Sequence, residues 1–189
     1  MSTATLQFTP AEAAAFTGVP EREVRKEFEH HVFPPADPPR LSFAALVYLR
    51  ALARMGLELG VKDRTALFQK VKAALAKKRS AASVEVADLL ALKIRPVVKE
   101  LRSEWSLFRT WEKTRVVKDA SILAGEPVFR GTRLAIRHIG GMLERGESPK
   151  AVREDYPKLS ARDLACARLF VRAYPRVGRP PDARQAPAG

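Results

Sequence analysis

The residues with the widest chemical reach in this sequence are carboxylates. Asp119, Glu126, Glu144, Glu147, Glu154, Asp155 and Asp163 could hold a divalent metal for nuclease chemistry if they converged. Their spacing is scattered, and most fall at predicted helix caps or on exposed helix faces, where capping and solubility account for them. His30-His31 could ligate a metal, yet no Cys or carboxylate cluster at ligand spacing accompanies the pair. Histidines at a helix C-terminus also complement its dipole, which is the simpler account. His138 falls inside a predicted helix and reads as a surface or half-buried imidazole. Cys166, in Leu164-Ala165-Cys166-Ala167, reads as a small buried hydrophobe. There is no nucleophile elbow, no phosphate-cradling glycine loop and no H-E-x-x-H motif. The expectation is therefore no catalytic site, no metal and no cofactor.

What remains is cationic chemistry. Arg22, Arg25 and Lys26 lie on one predicted short helix, and an arginine can donate two hydrogen bonds to guanine when a helix enters the major groove. Arg40, in a proline-rich loop, could reach phosphate or a minor groove. The composition points the same way: 34 Lys+Arg against 21 Asp+Glu give a net charge of +13, which favours a polyanionic partner such as double-stranded DNA. With 46% hydrophobic and 29% charged residues the chain is neither wholly disordered nor collagen-like. Its 189 residues allow one ordinary domain or two small ones. A single cysteine fits a reducing compartment, and no stretch has the length or apolarity of a membrane span. A cytoplasmic protein with no membrane partner is expected.

The elements that must position these side chains are mostly helical. Thr9-Pro10-Ala11-Glu12 is a capping box with proline at the first helical position, and Gly18 can end the helix that follows. Pro20 reopens helical geometry to about His30, with Val24 and Phe28 on one face, making a helix-turn-helix pattern. Four prolines between His31 and Arg40 predict a loop or wing. Ser42 caps a helix to about Met55, and Asp63 is expected to cap the next. The segment Val84 to Leu92 is ambiguous between strand and helix, with its start read as strand. Ile94, Val97, Val98, Leu101, Trp105 and Phe108 form one stripe of a long helix that can serve as a dimer element or as a connector within the chain. Short strands are predicted at Val116-Val117 and Val128-Phe129. Helices follow at about Ala135 to Glu144, at Pro149 to Asp155 capped by Ser148, and at Ala161 to Ala173 capped by Ser160. The fold class is thus mainly α, two helix-turn-helix-like units joined by a long helix, with a few short strands. The expected division is a DNA-binding unit over 1–80, a connector over 81–115, a second helical unit over 116–174 and a flexible basic tail over 175–189.

The run from Asp119 to Arg133, with its core Gly125-Glu126-Pro127-Val128-Phe129-Arg130-Gly131-Thr132-Arg133, resembles the signature of family 433 among the domains of unknown function. The likeness continues through Gly146-Glu147-Ser148-Pro149, Asp155-Tyr156-Pro157 and Leu159-Ser160. Ala124 stands where a second glycine is frequent, and Leu134-Ala135-Ile136 replaces the usual Ile-Pro-Val. The N-terminal unit is similar to the MerR-like winged helix-turn-helix. The resemblance implies a dimeric DNA-binding antitoxin of the VapB type, encoded beside a toxin with a PIN-like nuclease fold and repressing its own operator. The alternative is a stand-alone MerR-like transcription regulator without a toxin. Beside the resemblance, the residues themselves give Gly131 a turn, Thr132 a hydroxyl to close it and Arg133 a clamp on a carboxylate or carbonyl. Pairing of two copies through Val128, Phe129, Arg130, Gly131, Thr132 and Arg133 is expected, and Arg176, Arg179 and Arg184 in the tail are the candidates for toxin contact.

Overall fold

In a computed structural model, residues 6–56, 58–77, 83–87 and 90–176 are described. Eight α-helices and three two-stranded antiparallel pairs occur among them. The N-terminal unit follows the local signals closely. Strand β1 (Gln7–Phe8) leads into α1 (Pro10–Thr17), where the Thr9 hydroxyl accepts from the Glu12 amide and the Glu12 carboxylate accepts from the Thr9 amide, at 3.1 and 2.7 Å. Gly18 ends the helix at φ +78°, a left-handed conformation that glycine adopts without penalty. Helix α2 (Glu21–Glu29) follows, then the proline loop, then β2 (Leu41–Ser42), which pairs back with β1. Ser42 caps α3 (Phe43–Met55) as expected. One cap is corrected: α4 (Val61–Ala76) starts at Gly60 with no side-chain cap, and Asp63 sits inside its first turn, where its charge faces the helix dipole.

The ambiguous segment resolves into an antiparallel hairpin, β3 (Ser83–Ala87) with β4 (Leu90–Lys93), which feeds directly into α5 (Ile94–Arg115). Pro96 stands in the first turn of α5, the place where its missing N–H costs nothing. The predicted stripe is inward: Ile94, Val97, Val98, Leu101 and Phe108 are buried, and Trp105 packs against the same core. Beyond α5 come β5 (Val116–Val117), a 3-10 turn at Leu123–Gly125, β6 (Val128–Phe129), α6 (Ile136–Glu144), α7 (Pro149–Asp155) and α8 (Ala161–Ala173).

Both units share one core. Helix α1 packs on α8 as well as on α2 and α3, and buried side chains from both ends of the chain belong to a single cluster. Aromatic rings along α5 knit it together. Trp105 meets Phe8 and Phe16 edge-on with centroids 4.8 and 5.1 Å apart, while Trp111 meets Phe129 and Phe170 edge-on at 6.2 and 6.4 Å.

Asp163 fastens α8 to this helix. Its carboxylate, 4% exposed, accepts from Trp111 Nε1 at 2.9 Å, from Arg115 Nε and Nη2 at 2.9 Å each, and from the Ser160 amide and hydroxyl in a capping box. Burial would raise its pKa, but the donors from Arg115, Ser160 and Trp111 outweigh that and hold it at about 2. Helices α6 and α8 cross closely at Gly140, where an added Cβ would lie 2.4 Å from the Ala167 carbonyl oxygen and 2.6 Å from Val171 Cγ1.

Gly140→Ala should therefore force the α6–α8 crossing apart and cost about 3 kcal/mol in urea unfolding. Gly141→Ala meets only the end of the exposed Arg145 side chain and should be neutral or stabilising by up to about 1 kcal/mol. Asp163→Ala should cost about 3 kcal/mol near neutral pH, because the indole and capping donors lose their acceptor. The folded pKa lies below the ordinary 3.8, so this contribution is complete above that value and is lost as pH falls through about 2. The gap between wild type and variant should shrink over that window in acid titrations followed by circular dichroism.

Candidate nucleic-acid interface

Helix α2 is held by its inner face. Val24 is fully buried, and the buried Glu27 carboxylate accepts from Tyr48 Oη at 3.1 Å and pairs with Arg64. Arg64 also reaches His30 Nδ1 at 3.1 Å, which gives His30 a structural partner at the end of the helix. Burial, and then the neighbouring Glu27 charge, push the Tyr48 phenol far above its ordinary range, so it stays a donor. Three elements, α2, α3 and α4, are thus tied through one carboxylate.

The opposite face carries the predicted cations. Arg22 is 83% exposed, and Arg25 and Lys26 are exposed beside it. Each has a carboxylate on its own helix: Arg25 donates to Glu21 from Nε at 2.9 Å and Nη2 at 2.6 Å, Lys26 to Glu23 at 3.2 Å, and Arg22 Nε lies 3.3 Å from Glu23. Exposed pairs of this kind contribute about 0.3–0.5 kcal/mol and exchange readily for a phosphate. The helix alone is not a strongly basic patch, since Glu21, Glu23 and Glu29 stand among the cations. Arg40 is exposed at the exit of the proline loop, next to β2.

The predicted turn residues divide into two groups. Val128 and Phe129 are buried in this chain's own core, and β6 is occupied on both sides, by β5 and by a bridge from Val128 to Ala135. Gly131 takes φ +74°, and the Thr132 hydroxyl donates to the Phe129 carbonyl at 2.8 Å while accepting from the Leu134 amide at 3.1 Å. The clamp is Arg130 rather than Arg133: its Nε donates to the Thr114 carbonyl at 2.7 Å, whereas Arg133 is exposed. Arg176 reaches Glu126 Oε2 at 3.2 Å; Arg179 and Arg184 lie outside the described residues.

Sequence reasoning missed a charged cleft of about 700 Å³ between the start of α2 and helices α6 and α8, lined by Glu21, Glu126, Arg137, His138, Glu144 and Arg172 among others. Arg137 donates to the Tyr174 carbonyl at 2.6 Å and stacks over Phe170, and Glu144 accepts from Arg168 and Arg172 at 2.6 and 2.9 Å. Those two arginines outweigh the burial of Glu144 and keep its carboxyl below the usual range. His138 Nε2 meets Tyr156 Oη at 3.2 Å. No group of three or more metal-ligating side chains occurs among the described residues. Asp163 was legible as a cap from Ser160-Ala161-Arg162-Asp163, but its bonds to Trp111 and Arg115 join residues about fifty positions apart and left no local signal.

Residues 116–171 match the family described as Protein of unknown function (DUF433). The match opens at β5 and closes two residues before the end of α8. The chain is similar to the Uncharacterized protein y4eO of Sinorhizobium fredii (strain NBRC 101917 / NGR234), with 33% identity over 64 residues, 34% of this chain. That match spans 29% of the relative's length. It also aligns with the crystal structure of Rv2018 from Mycobacterium tuberculosis over 85% of this chain and 95% of that one, at 18% identity and a TM-score of 0.32, a likeness too loose to carry an argument. No described helix is long and apolar enough to cross a membrane.

Cys166 belongs to the core. Burial, aided by the Asp163 charge, pushes its thiol up to about 11. The native protein should not react with a disulfide reagent at pH 8 and should titrate one thiol once unfolded in urea. Reaction at the same rate in both states would contradict this burial.

Proposed function

We propose that the protein is a DNA-binding antitoxin that represses its own promoter, acts as a homodimer and neutralises a PIN-like ribonuclease toxin in the cytoplasm. The observation that carries the DNA part is the mounting of α2. Its inner face is pinned by Val24 and Glu27, and its outer face offers Arg22, Arg25 and Lys26 on a rigid helix beside a proline loop bearing Arg40. A recognition helix needs this combination of fixed position and exposed donors. The own-helix carboxylates suit sequence reading better than general adhesion, because they weaken indiscriminate attraction to phosphate while leaving guanidinium groups free to exchange partners. The +13 charge of the whole chain supplies long-range attraction. The antitoxin and dimer parts draw support from the resemblance of the C-terminal segment to antitoxins and are carried by no geometric feature of their own.

Fluorescence anisotropy with the gene's own promoter duplex and a scrambled duplex, over a salt series, tests the DNA reading. The promoter should bind at least tenfold more tightly, and Arg25→Ala should remove about 1–3 kcal/mol of that preference. Equal binding of both duplexes, falling together with salt, would count against it. For the antitoxin part, co-expression with the product of a neighbouring PIN-like reading frame should restore growth that the toxin alone arrests. The absence of such a frame, or failure of rescue, would move the reading to a stand-alone regulator.

A further inference from the structure

The loop between β5 and β6 presents an apolar tip that stays half exposed among the described residues. Leu123 is 48% exposed, the most exposed of the large hydrophobic side chains among the described residues. It also lies at φ +46°, followed by Ala124 at φ +52° and Gly125 at φ +83°. Side-chain-bearing residues in the left-handed region cost about 1 kcal/mol or more each, so the chain holds two unfavourable residues in a row to keep an apolar group in water. Local bonds fix the conformation: the Asp119 carboxylate accepts from the Ser121 amide and hydroxyl at 2.9 and 2.7 Å, and the Glu126 amide donates to the Leu123 carbonyl at 3.1 Å.

Beside the tip runs an open groove of about 440 Å³, walled by Val117, Ile122 and Val128 and by the Gly131-Thr132-Arg133 turn. The outer edge of β5 has no strand partner among the described residues. The rim is basic. Lys118, Arg130 and Arg133 are all exposed, and the ion pairs at this end of the molecule are made by Arg115, Arg137 and Arg176 instead. One carboxylate, Asp119, stands on the rim, turned to the Ser121 amide and hydroxyl, and leaves the rim net basic.

Charge decides the occupant. A second copy would bring Lys118, Arg130 and Arg133 against their own duplicates, which opposes pairing at this face, so the proposed homodimer would form through another surface than the Val128–Arg133 turn. Nucleic acid would satisfy the cations but gains nothing from Leu123 or from a groove walled by two valines and an isoleucine. We propose that the 119–126 loop and the groove beside the Gly131–Arg133 turn are a docking surface for another protein, which inserts an extended apolar segment flanked by carboxylates. Burying Leu123 takes apolar surface out of water, and the partner's acids meet Lys118 and Arg133, while Arg130 stays on the Thr114 carbonyl. The assignment of that partner as the toxin rests on the antitoxin reading; the surface itself does not.

The test is display of random extended heptapeptides on phage, panned against the full-length protein and against Leu123→Ser and Arg133→Glu. Both residues are exposed, and circular dichroism should show each variant folded. Peptides enriched on wild type should carry apolar residues interleaved with Asp or Glu. One of them, synthesised and labelled, should bind at least tenfold more weakly to each variant by anisotropy. No enrichment, enrichment without acidic bias, or equal binding to the variants would overturn the proposal. Self-association abolished by Leu123→Ser would overturn it in favour of a second copy. Failure of toxin rescue with the peptide result intact would remove the antitoxin reading and leave the surface standing.

Discussion

The aromatic stripe of α5 is the constraint around which the chain is arranged. A 22-residue helix carrying Trp105, Phe108 and Trp111 on one face is too long for either small unit to cover alone. Phe8 and Phe16 from the N-terminal end pack on Trp105 and Phe108, and Phe129, Phe170 and Tyr174 from the C-terminal end pack on Phe108 and Trp111. Each ring buries a large apolar area, and the edge-on pairs add about 0.5–1.5 kcal/mol apiece beyond burial. The direct packing of α1 on α8 follows from this, since both helices must lie along the same stripe.

Charged side chains complete what the rings leave open. Arg50, nearly buried, reaches from α3 to the Phe16 carbonyl and to both Glu104 oxygens on α5, at 2.9 and 2.7 Å to the carboxylate. Asp163 does the same from α8 at the other end, and Glu27 fixes α2 from beneath. In all three cases a long-range polar link spans elements whose apolar contact is incomplete. The same economy governs the outer surface, where the α2 cations are held by carboxylates of their own helix and stay available to an external acceptor.

Local signals made most of the element borders legible. The capping box at Thr9, the caps at Ser42, Ser148 and Ser160 and the 3.6-residue stripe of α5 are decided within a few residues of sequence, and each lies where the sequence places it. Gly60 instead of Asp63 at the start of α4 shows the limit: the helix begins three residues before the expected cap, with no side-chain cap of its own. The hairpin before α5 was half seen, because its register depends on a partner strand that alternation alone does not reveal. The turn at Gly131 was read correctly for Gly131 and Thr132, whose roles are local. The clamp expected of Arg133 is made by Arg130, because the carbonyl that captures its guanidinium sits on Thr114, sixteen positions away. For the same reason the charged cleft and the Asp163 network had no signature in the sequence.

The recurring stretch of sequence and the unit that folds have different edges. Residues 116–171 begin one position after Arg115 and exclude Trp111, so the boundary of the match severs two of the side chains that Asp163 was buried to meet. A fragment cut at that line would keep its three helices and its turn but carry an acid without its base and a cavity where an indole belongs. In this chain the matched stretch is one half of a joint whose other half is the end of α5.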